Sequence, residues 1–187
     1  MEALDALLNR VSVPRLVEPA PDAAQRELLF RAASRAPDHG QLRPWRFLTI
    51  EGAAREQLGA LLAEAVKEQG EATEAALEKA HAMPLRAPLL IVVIANVQDH
   101  VKVPKSEQRL AAACAAHAIL LAAYAQGIGA VWRTGELSYS PQVAKGLGLA
   151  DTEELIGFLY VGTPLNPPRM APVVSVEAFV SAWEQPR

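Results

Sequence analysis

The chain has 187 residues, of which 51% are hydrophobic, 21% charged and 5% aromatic, and its net charge is −3. So large an apolar share excludes disorder as a description of the whole, and the length suits a single domain, residues 1–187, with ample core. The 18 basic residues against 21 acidic ones leave no excess to neutralise nucleic-acid phosphates. The single cysteine, Cys114, builds neither a disulfide framework nor a thiolate zinc site within one chain, and it reads as a small buried hydrophobe in a reducing compartment.

Helices and strands follow from the spacing of apolar residues. Glu2–Asn9 reads as a first amphipathic helix, and its acidic start lacks the basic and apolar regions of an export signal, so the cytoplasm is the expected compartment. Asp22 after Pro21 opens a second helix, with Leu28, Leu29, Ala32 and Ala33 on one face and Pro37 ending it. Arg46–Glu51 alternates as a strand before Gly52. Helices are expected at Ala53–Gln69 and at the mostly polar Glu71–Met83, separated by Gly70. Leu89–Val97 is a continuous β-branched run, the mark of a strand buried on both faces. The apolar stretch Leu110–Ala125 would span about 24 Å as a helix, short of a bilayer core. It reads as a central buried helix beginning near Ser106 as its N-cap and stopping at Gly127, with His117 a hydrogen-bonded core histidine. Ala130–Arg133 and Leu155–Gly162 complete four strands, with a short helix after Pro141 between them. Without βαβ alternation the class is α+β. The tail after Pro164 is proline-rich yet carries Val173, Val174, Val176, Phe179, Val180 and Trp183, so it is expected to pack, with a partner subunit as its natural support.

No nucleophile elbow, P-loop, zinc-protease helix or dinucleotide fingerprint occurs, and the four histidines lack metal-ligand spacing. Polar residues hard to explain by folding gather in three loops instead. The first is Arg10-Val11-Ser12-Val13-Pro14-Arg15. The second runs from Arg35 through Asp38, His39, Gly40, Gln41 and Arg43 to Trp45. The third is Gly127-Ile128-Gly129-Ala130-Val131-Trp132-Arg133-Thr134-Gly135. Guanidinium groups grip phosphate bidentately, glycine admits a planar ligand close to the backbone, and tryptophan offers a flat apolar wall.

These loops resemble the motifs of the nitroreductase-like flavoproteins. The Ala36–Trp45 segment is similar to that family's A-P-S-x-x-N-x-Q-P-W, Arg10-x-Ser12-x-x-Arg15 to its N-terminal R-x-S-x-R type, Gly127-x-Gly129-x-x-Trp132 to its G-x-G-x-x-W, and Leu159–Pro164 to its closing L-G-x-P strand. The A-P-D-H segment and Val103–Gln108 resemble the compact bacterial, YdjA-like subgroup. The resemblance implies a nitroreductase-like fold, a central mixed sheet of about four strands flanked by helices, in a homodimer on whose partner subunit the tail packs. It implies FMN at the subunit interface and NAD(P)H as hydride donor to a small acceptor, with no metal. It assigns FMN contacts to Arg10, Val11, Ser12, Arg35, His39, Val131, Trp132 and Arg133, the second loop reaching the other subunit's flavin, and it places a nicotinamide at Leu121, Ala122, Ala123, Tyr124, Ala125 and Gln126. Arg169 is a further candidate for the phosphate. Since a flavin carries the redox chemistry itself, the lack of a catalytic nucleophile or base agrees with this reading.

The chain also departs from the pattern. Val11 stands where the family has a second arginine, Gln41 where it has Asn, Arg43 where it has Gln, and Asp38-His39 replaces small residues. Two other readings compete. One is a non-catalytic dimer that binds or senses FMN. The other is a dimerisation domain without cofactor, in which Arg10, Arg35 and Arg133 are surface charges.

Overall fold

The computed structural model describes residues 1–70 and 72–183. Its centre is β3 (Leu89–Asn96), whose first seven residues are fully buried, as the unbroken β-branched run requires. Side chains alternate across the strand. Leu89, Ile91 and Val93 join Leu29, Ala115 and Ile119 on one face, while Leu90, Val92 and Ile94 join Leu58, Leu62 and Val143 on the other. The first face is covered by α2 (Ala23–Ala33) and α5 (Lys105–Ala125), the second by α3 (Ala54–Glu68), α4 (Glu74–Ala82) and α6 (Pro141–Gly146). The result is a three-layer α+β domain, preceded by α1 (Ala3–Asn9).

The sheet has five strands, and every pairing is antiparallel. This corrects the expected mixed sheet of about four strands. The hairpin of α3 and α4 returns the chain to the end where β2 (Trp45–Glu51) finished, so Glu51 pairs with Leu89 and β3 runs back. A single helix, α5, then carries the chain to β4 (Gly129–Arg133), but β5 (Glu153–Pro164) lies between β3 and β4 and pairs antiparallel with both. The fifth strand, β1 (Leu16–Val17), has two residues and pairs with the end of β5. Between Val93 and Ile94 the β3–β5 register slips, leaving Ile156 as a bulge beside Gly157. At Gly157, φ is 153° and a Cβ would collide with the Trp132 indole, so only glycine lets that ring lie against the backbone.

Capping explains several element ends. Asp22 and Gln25 form a reciprocal capping box on α2, and Ser140 accepts from the Val143 N–H at the start of α6. Ser106 is not the cap expected of it. α5 begins one residue earlier, behind Pro104, with no side chain capping it. Glu71, the first residue of the expected fourth helix, lies outside the described residues, and the helix is seen from Glu74.

Three ion pairs strap this scaffold. Arg26 grips Glu51, joining α2 to β2, Arg46 grips Glu153, joining β2 to β5, and Arg109 grips Glu154, joining α5 to β5. All three are bidentate, with N–O distances of 2.6–2.8 Å. In each, hydrogen bonds from the guanidinium hold the glutamate below the usual carboxylate range, against the opposing effect of burial.

Two residues of α5 are not where a buried helix would put them. Cys114 and His117 are exposed, on a stripe that also carries the exposed Leu110. α1, in contact with α5, exposes Leu4, Leu7 and Leu8. The tail's Met170, Val173, Phe179 and Trp183 are exposed as well, so the packing expected of them is not met within a single chain.

Candidate functional site

The first loop is fastened at both ends. The Arg10 N–H donates to Ala6 and closes α1, the Val13 N–H donates to the Ala130 carbonyl of β4, and the Arg15 carbonyl accepts from the Leu165 N–H just past β5. Val11 and Val13 point into the protein, which turns Ser12 outward between them. One hollow of about 470 Å³ is lined by Ser12, Arg15, Val131, Arg133 and Arg169. A smaller one, about 220 Å³, is lined by Arg10, Val11, Tyr124 and Gly127 and shares Val13 and Pro168 with the first. The first loop, the third loop and the tail therefore converge at the edge of the sheet beside β4.

Among the described residues, none of Arg10, Arg15, Arg133 and Arg169 has a carboxylate partner. The Arg133 Nε is buried with no hydrogen-bond partner, and so is the Trp132 Nε1. An unpaired donor in such a place costs stability unless something else accepts from it. The donor set fits an anion with several oxygens, which is what a phosphate-bearing cofactor brings.

β4 separates one of the three expected contacts from the other two. Val131 and Arg133 fall on the α3 side of the sheet, whereas Trp132 points to the α2–α5 side, against the bulge in β5. The three do not form one wall with their side chains. Gly129 is required here for a different reason than a planar ligand: a Cβ would lie 2.5 Å from the Leu16 side chain.

The second loop lies elsewhere. Gly40, Gln41 and Arg43 all have positive φ, two of them non-glycine residues held in a strained conformation. Asp38 holds the loop by accepting from the Arg43 N–H at 2.6 Å, and His39 Nδ1 lies 2.7 Å from a Glu107 carboxylate oxygen at the start of α5. Arg35 is exposed beyond the end of α2. Arg10 adjoins Leu120 and Tyr124, near the other end of α5. The thirteen-residue offset from Glu107 to Leu120 is about 20 Å of helix, too far for His39 and Arg10 to line one hollow of this size in a single chain.

Of the six residues expected at a nicotinamide, Tyr124 lines the smaller hollow, and Ala125 is exposed. Ala123 is fully buried in the core, and Leu121, Ala122 and Gln126 are half-buried, the Gln126 amide donating to the Ala122 carbonyl. Sequence reasoning did not single out the Asn166–Pro168 wall. Its signal was slight, a polar and proline-rich stretch directly after a strand.

The geometry defines a sheet-edge hollow bordered by arginines in a three-layer α+β domain. A model of the Nitroreductase family matches residues 7–163. The candidate NAD(P)H nitroreductase YdjA of Escherichia coli K12 is 44% identical over 164 residues, 88% of this chain and 89% of its own length. The crystal structure of a nitroreductase-like family protein from Bacillus cereus superposes with a TM-score of 0.84 at 23% identity, covering 99% of this chain and 97% of that one. A candidate nitroreductase from Desulfovibrio desulfuricans, crystallised in complex with FMN, has a TM-score of 0.74 at 21% identity, with 99% of each chain covered. The chain belongs to the Nitroreductase family.

Proposed function

We propose that the protein is an FMN-dependent NAD(P)H oxidoreductase acting as a homodimer in the cytoplasm. The observation that carries this reading is the convergence of Arg10, Ser12, Arg15, Arg133 and Arg169 on adjoining hollows without carboxylate partners among the described residues. The D. desulfuricans relative holds FMN, and the E. coli relative's name specifies NAD(P)H. Bound FMN would supply hydride transfer from a nicotinamide to a small nitroaromatic or quinone-like acceptor, in a ping-pong cycle.

The chain's own residues would hold and orient that cofactor. Arg15, Arg133 and Arg169 offer guanidiniums to its phosphate, with the Ser12 hydroxyl between them, and Arg10 and Val11 border it from the smaller hollow. Trp132 contributes through its backbone on β4. Arg35 and His39 reach the partner subunit's cofactor, because the length of α5 keeps them from their own. Tyr124 and its neighbours at the end of α5 border the nicotinamide. The dimer forms through the exposed leucines of α1, the Leu110–Cys114–His117 stripe of α5 and the tail.

The test is an absorbance spectrum of the freshly purified protein, followed by anaerobic addition of NAD(P)H. A flavin band that bleaches is the expected result. A band that persists favours a flavin-binding dimer without turnover. No band, even after soaking with FMN, would overturn the reading in favour of a dimerisation domain.

A further inference from the structure

The second loop is held more firmly than its exposure explains. Gln41 and Arg43 both have positive φ, and Asp38 fastens the turn by accepting from the Arg43 N–H. Gly40, at φ 73°, lies over Val103, and a Cβ there would come within 3.2 Å of a Val103 methyl. Val103 is itself clamped. Its N–H donates to His100 Nδ1, and its carbonyl accepts from the amide of Gln108. The same buried Gln108 side chain exchanges hydrogen bonds with the Gln98 backbone. A buried amide so fully bonded makes the 98–103 loop a rigid bed for the turn above it. Backbone held out of its usual regions persists where the surroundings over-determine it, and it gathers at functional sites.

What this frame presents is one imidazole. His39 stands between Asp38 and Gly40, its side chain 56% exposed, and its Nδ1 lies 2.7 Å from Glu107 Oε2. An exposed pair of this kind contributes little to stability, so folding alone gives no reason for the contact. Its effect on the ring is specific. An ionised carboxylate only accepts, so the proton between the two groups sits on Nδ1. Nε2, on the far side of the ring, is turned from Glu107 and has no partner among the described residues.

Glu107 also starts the exposed stripe of α5. With Leu110, Cys114 and His117 it follows steps of three, four and three residues, which is one face of a helix, and all four are exposed. A twofold axis across that stripe would lay the first turn of one α5 beside the last turn of its partner, where the Arg10 hollow lies. We propose that Glu107 is a positioning residue: it takes the Nδ1 proton of His39 and so points Nε2 at the flavin held by the partner subunit. This role rests on the flavin reading above and adds to it a residue that acts only through His39.

Two measurements on the full-length protein test it. A long-range proton–nitrogen spectrum, recorded above the titration of the ring, shows His39 with its proton on Nδ1, and that population falls in Glu107→Ala. FMN affinity, read from quenching of flavin fluorescence, falls about three- to tenfold in Glu107→Ala and equally in His39→Ala. The double variant binds as weakly as either single one, because the carboxylate has no effect without the ring. Glu107→Gln keeps an acceptor for Nδ1 and stays within about twofold of wild type. Melting curves of all these variants without cofactor stay close to wild type. A wild-type ring protonated on Nε2, normal FMN affinity in Glu107→Ala, or losses that add in the double variant would each overturn the proposal. A wild-type chain that takes no FMN overturns the flavin reading and this role together, whereas normal loading with an indifferent Glu107→Ala overturns this role alone.

Discussion

Arginine does two different jobs at two places in this molecule. On the scaffold, Arg26, Arg46 and Arg109 each close a bidentate fork on a glutamate of a β-strand. At the sheet edge beside β4, Arg10, Arg15, Arg133 and Arg169 face hollows that have no carboxylate among the described residues. A paired guanidinium has its charge answered by the fold and contributes to stability. An exposed unpaired one is answered by water, whereas the buried, unpartnered Nε of Arg133 costs the folded state something unless an acceptor is bound. The difference separates charges tied into the scaffold from charges open to a ligand where residue type alone cannot.

Breaking the unpaired set has the largest expected effect. Arg133→Ala removes a partly buried donor from the proposed phosphate site, a loss of about 2–3 kcal/mol in cofactor affinity, or roughly 30–150-fold. Thermal unfolding of the cofactor-free variant stays close to wild type. Flavin content after desalting, set beside the melting curve, checks both halves. Arg10→Ala behaves alike to a smaller degree, because Arg10 borders only the smaller hollow. A variant of either kind that purifies fully loaded would end the distinction between the two sets.

The paired set responds in the opposite sense. Glu153 is the most enclosed of the strapped carboxylates, its side chain 8% exposed, and Glu153→Gln leaves Arg46 half-satisfied. Denaturant titration at pH 7 is expected to show a loss of about 1–3 kcal/mol with flavin content unchanged. The pH dependence follows from the lowered Glu153 pKa. Its contribution is complete above the unfolded carboxylate range, about 4.3, and disappears as pH falls through the lower folded value. Wild type and Glu153→Gln therefore differ at neutral pH and converge in acid. Arg109→Ala gives the smallest effect, at most about 1 kcal/mol, since both partners of that pair are more than two-fifths exposed and solvent screens them.

Much of this was legible in the sequence because the motifs are local. Arg10-x-Ser12, Gly127-x-Gly129 and the buried run of β3 each declare themselves within a few residues, and the structure joins the first and third loops as their chemistry suggested. What escaped was periodicity hidden by alanine. In α5, alanines surround every face, so no contrast of residue type shows that Cys114 and His117 turn outward while Ala115 and Ile119 turn in. Alternation along β4, which puts Val131 and Arg133 on one face and Trp132 on the other, was legible in principle. The straps were invisible for another reason: Arg46 and Glu153 are 107 residues apart, and nothing local links them.

The length of α5 carries a genetic consequence. About 20 Å of helix separates Glu107, beside His39, from Leu120, beside Arg10, and under the proposed function each centre of a twofold dimer would draw one group from either polypeptide. A subunit damaged only at Arg10 and another damaged only at His39 would each be inert as pairs of their own kind. Mixed within one cell, they form hybrids in which one centre collects both lesions and the other collects none. Two inactive alleles would then complement each other, and the ceiling on recovered activity, one working centre per hybrid, is set by the span of a single helix.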